Sequence, residues 1–188
     1  MERIEIVRWL KMTAAAAMLL PLPLLLSAQT SDSPEITKTL AEVKTHAALA
    51  EDDAMTLESY TRGTMSRQSH AQRLITIKDH ANDLINDFNT LHPMRDEGSA
   101  WQREAIDRIS PLLEDMSNHL TATINHLNDN PSRVHMPSFV DYVTANREVI
   151  GKAHRTISDF VEYGEAKARA DSLEKALLVP TEAKVEKQ

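Results

Sequence analysis

The sequence predicts an all-α protein, an up-down-up-down antiparallel four-helix bundle with long helices, preceded by a signal peptide. Three observations lead to this fold class. Apolar residues recur in alternating steps of three and four along four long segments, which is the period of a helix packed along one face. No segment shows the sustained two-residue alternation of a strand. The chain also has only four glycines, too few for a fold with many tight turns.

Residues 1–28 have the organisation of a secretory signal peptide. Three basic residues lie near the start, and residues 12–26 form a charge-free apolar run. This run is shorter than the roughly 20 apolar residues that cross a bilayer, so a cleaved signal is predicted rather than a permanent anchor. Cleavage is expected after Ala28. Leu26 is large for the third position before such a cut, which leaves an uncleaved membrane anchor open as the alternative.

The composition favours an exported protein, periplasmic or extracellular, of bacterial type. The chain has no cysteine, so neither disulfides nor thiol chemistry are available to it. Its one Asn-x-Ser sequence begins at Asn130 and contains a proline, which prevents glycosylation. Without residues 1–28 the net charge is −8, and this acidic balance disfavours binding to nucleic acid. Contact with a membrane is expected only if the N-terminal segment stays uncleaved.

The bundle is predicted at residues 29–179, and its first helix at about 34–62. Ser33 suits the N-cap and Pro34 the first turn, while Gly63 marks the end. The seam, meaning the row of apolar and small residues that faces the neighbouring helices, is Ile36, Leu40, Val43, Ala47, Ala50, Ala54 and Leu57. Its three central alanines predict that another helix approaches closely there.

The second helix is predicted at about 66–91. Its seam is Leu74, Ile77, Ala81, Leu84, Phe88 and Leu91. Ile75 and Ile85 are expected to widen this stripe. His92 precedes Pro93, and a residue before proline avoids the helical conformation, so the helix is expected to end there.

The third helix is predicted at about 100–128, opened by a capping box of Ser99 and Gln102. Its seam is Ile106, Ile109, Leu113, Met116, Leu120, Thr123 and Leu127. Pro111 lies inside it, where proline removes a hydrogen bond and clashes with the preceding turn. Two alternatives follow, a kinked continuous helix or a break with a new helix beginning at Pro111. The kinked helix is favoured because the seam stays in phase across the proline.

The fourth helix is predicted at about 137–179, followed by a disordered tail at 180–188. Its main apolar positions are Phe139, Val143, Ile150, Ile157 and Phe160. Beyond Gly164 the sequence becomes mostly charged, so the end of the helix is expected to project past the bundle. The short links between helices make sequence neighbours antiparallel. A coiled-coil-like seam of this kind also permits an oligomer.

Histidines are the first candidates for metal ligands, since the chain holds eight. No two of them have the spacing of three or four residues that places ligands one turn apart. His119 and His126 share a face, and with Asp115 and Met116 they are the weak candidates for a transition-metal or b-type haem site. The alternative places both histidines at the edge of the seam, with their nitrogens in water.

Two other histidines lie one helical turn from an acidic residue. His46 follows Glu42, and His80 precedes Asp83. Both are predicted to form ion pairs on solvated helix faces, where such pairs contribute little. His70 lies on the seam of the second helix. It is expected either in the core or, by the preferred reading, in a fraying first turn that water reaches.

Helix 4 carries two aromatic pairs, each three residues apart. Phe139 pairs with Tyr142 and Phe160 with Tyr163. One interpretation is a stripe that docks a partner or ligand. The preferred one is core phenylalanine flanked by boundary tyrosine. The segment 134–142 is expected either to form an interaction surface or to plug one end of the bundle.

No enzyme is predicted, because the sequence has neither a G-x-S-x-G nucleophile motif nor a glycine-rich phosphate loop. The leading hypothesis is a non-enzymatic module of the cell envelope that binds a protein partner or a small ligand and needs no cofactor. The alternative is a periplasmic four-helix bundle that binds metal or haem.

Overall fold

The computed structural model describes the backbone of residues 31–182 and the side chains of residues 31–177. The predicted signal peptide and its cleavage site lie outside these residues. The described part contains no strand, and its α-helices are α1 (Pro34–Thr61), α2 (Arg67–Leu91), α3 (Ala100–Asp129) and α4 (Pro137–Glu182). A short 3-10 helix, His92–Glu97, joins α2 to α3. The all-α fold with four packed helices is therefore confirmed.

The helix ends show what the local sequence controls. Ser33 and Ser66 cap α1 and α2, each accepting a hydrogen bond from a backbone N–H three residues later. Helix α3 is continuous through Pro111, so the alternative of a break at that residue is wrong. Helix α4 continues to Glu182 through Pro180, past its predicted end at about 179. The rest of the predicted tail lies outside the described residues.

Helices that follow one another in sequence run antiparallel. Helix α1 packs on α2 and α4, while α3 packs on α4 and less extensively on α2. The direction follows from residue pairs whose numbers rise along one helix as they fall along the other. These pairs are His46–Asp87 and Tyr60–His70 between α1 and α2, Lys44–Glu162 and Glu58–Arg147 between α1 and α4, and Trp101–Tyr163 and His126–Tyr142 between α3 and α4.

The core consists of the predicted seams. Every seam residue predicted for α1, α2 and α3 is buried. Ile75 is the exception among the flanking residues of α2, since it is half exposed rather than part of the stripe. In α4 the seam includes a polar residue, the fully buried Asn146, whose amide finds no hydrogen-bond partner among residues 31–177. Phe160 is only partly buried.

Charged side chains link the helices on either side of the α1 seam. His46 contacts Asp87 of α2 at 2.8 Å, so its predicted pairing with Glu42 is wrong. His80 contacts Asp53 of α1 at 3.3 Å instead of pairing with Asp83. Other ion pairs between α1 and its neighbouring helices are Asp53–Arg73, Glu51–His154, Glu51–Arg155, Glu58–Arg147 and Lys44–Glu162. These groups connect separate helices, which periodicity along one helix does not reveal.

The two ends of the bundle differ. At the end that we call the Trp101 end, the starts of α1 and α3 meet α4 near Tyr163. Helix α4 then continues alone, and residues 168–177 are all exposed. Within residues 31–182, no helix combines the length and the apolar character that crossing a bilayer requires.

Candidate functional site

A groove of about 390 Å³ opens between α3 and α4 at the Trp101 end. Trp101 comes from the first turn of α3, whereas Phe160 and Tyr163 come from α4. Residues three or four apart lie on the same face of a helix, so each helix presents a row of side chains to the groove. We call this site the aromatic groove.

The aromatic rings form a corner. The ring centroids of Trp101 and Tyr163 lie 5.8 Å apart with an angle of 65° between the planes. Tyr163 is 54% exposed, so its ring borders both the groove and the solvent. The indole rests on the backbone of α4 at Gly164, where an added Cβ would lie 2.6 Å from Trp101 Cη2. Only glycine allows the indole to lie this close.

A tether fixes the indole from the other side. The Trp101 Nε1–H group donates a hydrogen bond to Asp32 Oδ1 at 2.9 Å, and Lys167 Nζ lies 3.1 Å from Asp32 Oδ2. Partial burial by itself raises the pKa of the Asp32 carboxyl, but the neighbouring polar groups of Ser99, Lys167 and Trp101 outweigh it and lower that pKa below its usual value. The hydrogen bond from Lys167 to Asp32 in turn raises the pKa of that ammonium.

Gln102 holds α1 and α3 together beneath the groove. It is fully buried. Its Nε2 group donates to the Ser33 carbonyl at 2.8 Å and to Thr37 Oγ1 at 3.0 Å. Its Oε1 accepts from the backbone N–H groups of Ser33 at 2.9 Å and Ser99 at 3.0 Å. The predicted capping bond to Ser99 is present, and the bonds to α1 are additional, so the start of α3 has little freedom to move.

The polar lining of the groove carries an excess of negative charge. Arg108 Nε donates to Glu104 Oε1 at 2.6 Å one turn away on α3, so these two charges compensate each other. Asp159 of α4 lines the same groove and is exposed. Within residues 31–177 it makes neither an ion pair nor a side-chain hydrogen bond. The groove therefore offers one uncompensated carboxylate beside its aromatic rings.

The structure does not gather the predicted metal-site residues. Met116 is buried in the core, whereas Asp115 and His119 are exposed. His126 is partly buried, and its ring stacks on Tyr142 with centroids 4.6 Å apart. No group of three potential His, Cys, Asp or Glu ligands occurs in the described part of the chain. His126 packs at the edge of the seam, and the exposed His119 does not join it.

The end of the bundle opposite the Trp101 end is closed by aromatic packing. His70 is fully buried and its Nδ1 lies 2.9 Å from the Ser66 carbonyl oxygen, so the preferred prediction of a fraying, hydrated turn is wrong. The ring of Phe139 lies 5.5 Å from that of His70, and the ring of His135 lies 5.9 Å from it. Phe139 and Val134 are both buried, as expected for a plug.

The aromatic pairs on α4 differ from each other. Phe139 is core and Tyr142 is a boundary residue, as the preferred interpretation predicts. Phe160 is not core, since it is only partly buried and lines the groove with Tyr163. Trp101 was not predicted from the sequence as a site residue. The feature that could have indicated it is a large aromatic side chain in the first turn of α3, at a position outside the seam.

Comparisons with models of protein families, with curated proteins and with solved structures find no match to this chain. The candidate site therefore has to be judged from its own geometry and charge.

Proposed function

We propose that this protein is a non-enzymatic binding module of the cell envelope, and that the aromatic groove is its ligand site. The observation that supports this most directly is the gathering of three aromatic side chains around one open groove. Core packing does not require Tyr163 to lie there, because more than half of its surface meets solvent. Export rests on the predicted signal peptide at residues 1–28.

The size and rigidity of the groove support a small ligand. Its volume of about 390 Å³ lies within the range of roughly 300–1,000 Å³ typical of small-molecule sites. Trp101 is held by Asp32 on one side and by the backbone at Gly164 on the other. A site whose side chains are already fixed loses little conformational entropy when a ligand binds. Apolar walls with a few polar groups are typical of such sites.

The test is a comparison of small molecules retained by variants of the protein. The protein is incubated with small molecules extracted from its own envelope fraction, and retained compounds are identified by mass spectrometry. We expect the unmodified protein to retain at least one compound that Tyr163→Ala loses, because the variant removes one wall of the groove.

The matched control is Tyr142→Ala, which removes a partly exposed tyrosine from the same helix outside the groove. It should retain the compound at the level of the unmodified protein. Equal loss in both variants would indicate general destabilisation. Retention by Tyr163→Ala would place the ligand elsewhere on the protein.

A further inference from the structure

We infer that the ligand of the aromatic groove is a small organic cation with an alkylated ammonium group. This inference rests on the proposed function and adds the chemical class of the ligand. Three features of the groove carry it: its uncompensated carboxylate, the geometry of its rings, and the compensation of its one cationic group within the protein.

The charge of the groove selects for a cation. Glu104 is compensated by Arg108, which leaves Asp159 without a cationic partner in the described part of the chain. A ligand with a positive charge supplies that partner. An anion would meet this carboxylate in a protein whose net charge is already −7, and both terms oppose its binding.

The rings favour an ammonium that carries alkyl groups. A cation is attracted to the face of an aromatic ring when it lies within about 6 Å of the centroid, and tryptophan is the strongest such partner. Trp101 and Tyr163 meet at an angle of 65°, so a group seated in their corner contacts both rings. Alkyl groups on nitrogen make apolar contact with those rings, whereas a bare ammonium has no apolar surface to place against them and loses hydration that the rings do not replace.

The polar groups beside the groove favour a cation over an anion. The indole Nε1–H group points to Asp32 outside the lining of the groove, so Trp101 contributes its ring and no donor. Arg108 donates through Nε to Glu104, so the charge of the one cationic group in the lining is compensated, although its other N–H groups stay open to solvent. The groove therefore presents aromatic rings, a compensated ion pair, one uncompensated carboxylate and Thr156, a lining that suits a cation with a polar end.

The experiment uses three probes of nearly the same shape that differ in charge: choline, its neutral analogue 3,3-dimethylbutan-1-ol, and the anion 3,3-dimethylbutanoate. Trp9→Phe is included so that Trp101 is the only tryptophan even in a chain that keeps residues 1–28; a chain that begins at Gln29 has no other tryptophan. Titration up to millimolar concentrations is followed by Trp101 fluorescence and by calorimetry. We expect saturable binding of choline, about tenfold tighter than that of the alcohol, and no binding of the carboxylate.

Two variants test whether the charge of Asp159 contributes to binding. Asp159→Asn should weaken choline binding by about fivefold and leave the binding of the alcohol unchanged, because only the cation interacts with the lost charge. Asp141→Asn is the matched control. It removes the same charge from an exposed position of α4 outside the groove, and it should leave choline binding unchanged.

The outcomes distinguish the inference from the proposed function. If the alcohol or the carboxylate binds as tightly as choline, and Tyr163→Ala abolishes that binding, the groove is a ligand site but not for cations. If none of the three probes gives a saturable signal with folded protein, the inference is overturned. The proposed function fails with it only if Tyr163→Ala also loses no compound that the unmodified protein retains from the envelope extract. Choline binding that Tyr163→Ala leaves intact would overturn the location of the site.

Discussion

Gly164 shows how a single residue controls the site. It lies on α4 under the indole of Trp101, where the three nearest atoms to an added Cβ would all belong to that ring. No sequence pattern predicts this role, because a glycine in a helical segment ordinarily indicates lower helix stability or the end of the helix. The contact joins residues 101 and 164, and only the packing of α3 on α4 brings them together.

Replacing this glycine tests the contact. In Gly164→Ala the new Cβ forces the indole to move, which breaks its hydrogen bond to Asp32. Overpacking costs about 1–3 kcal/mol, and the better helix propensity of alanine offsets about 1 kcal/mol. We therefore expect a net loss of about 1 kcal/mol in urea unfolding and a shift of Trp101 emission in the Trp9→Phe background. Gly63→Ala, whose Cβ would meet nothing closer than 3.8 Å, is the control and should change neither.

Asp32 gives the molecule a defined acid response. Folding lowers the pKa of this carboxyl, so the stability that it contributes is complete above the unfolded-state pKa and is lost as pH falls through the folded-state pKa. We expect Asp32→Asn to be about 1 kcal/mol less stable than the unmodified protein at pH 7. That difference should shrink as the pH falls below the ordinary pKa of a carboxyl and on through the lowered pKa of Asp32 in the folded protein.

Urea unfolding at pH 7 and at pH 3 measures this response. Asp115→Asn, an exposed aspartate elsewhere in the bundle, should differ little from the unmodified protein at either pH. A deficit of Asp32→Asn that is equally large at both pH values would mean that the charge of Asp32 plays no part in holding Trp101.

At the scale of helices, the seams were predictable and the links between helices were not. The seam residues of α1, from Ile36 to Leu57, follow a period that only a buried helical face explains, and all seven are buried. The partner of His46 was not predictable, because Asp87 is 41 residues away and lies opposite it only after α1 and α2 have paired. The same holds for Gln102, whose capping role was visible but whose bonds to Ser33 were not.

The alanine row of α1 leads to a prediction about helix spacing. Ala50 is fully buried between neighbouring helices. In Ala50→Leu, three further carbon atoms must fit where the helices approach closely, so we expect a loss of about 1–3 kcal/mol. Ala41→Leu makes the same change at an exposed position of α1 and should lie within about 0.5 kcal/mol of the unmodified protein in thermal or urea unfolding. Equal losses of stability at the two positions would mean that the helices leave space for a larger side chain at Ala50.

The two ends of the bundle differ in the side chains that they present. One end is closed by the rings of His70 and Phe139, and the other carries the aromatic groove. The fold class followed from periodicity, since burial in a bundle imposes a local pattern. The groove did not, because Trp101 and Phe160 belong to different helices, and the pattern predicted Phe160 as a core residue and gave Trp101 no seam position. A site shared by two helices appears only when the helices are placed together.

The solitary part of α4 has a consequence for how the chain opens. Up to Val161, helix α4 packs against the core, so its amide protons exchange with solvent only when the bundle itself opens. Residues 168–177 have no such support, and a helix this short is marginal in water by itself. One continuous helix therefore spans two regimes of hydrogen exchange, slow in the bundle and fast beyond it. The boundary lies beside Lys167, where the tether to Asp32 meets the last supported turn.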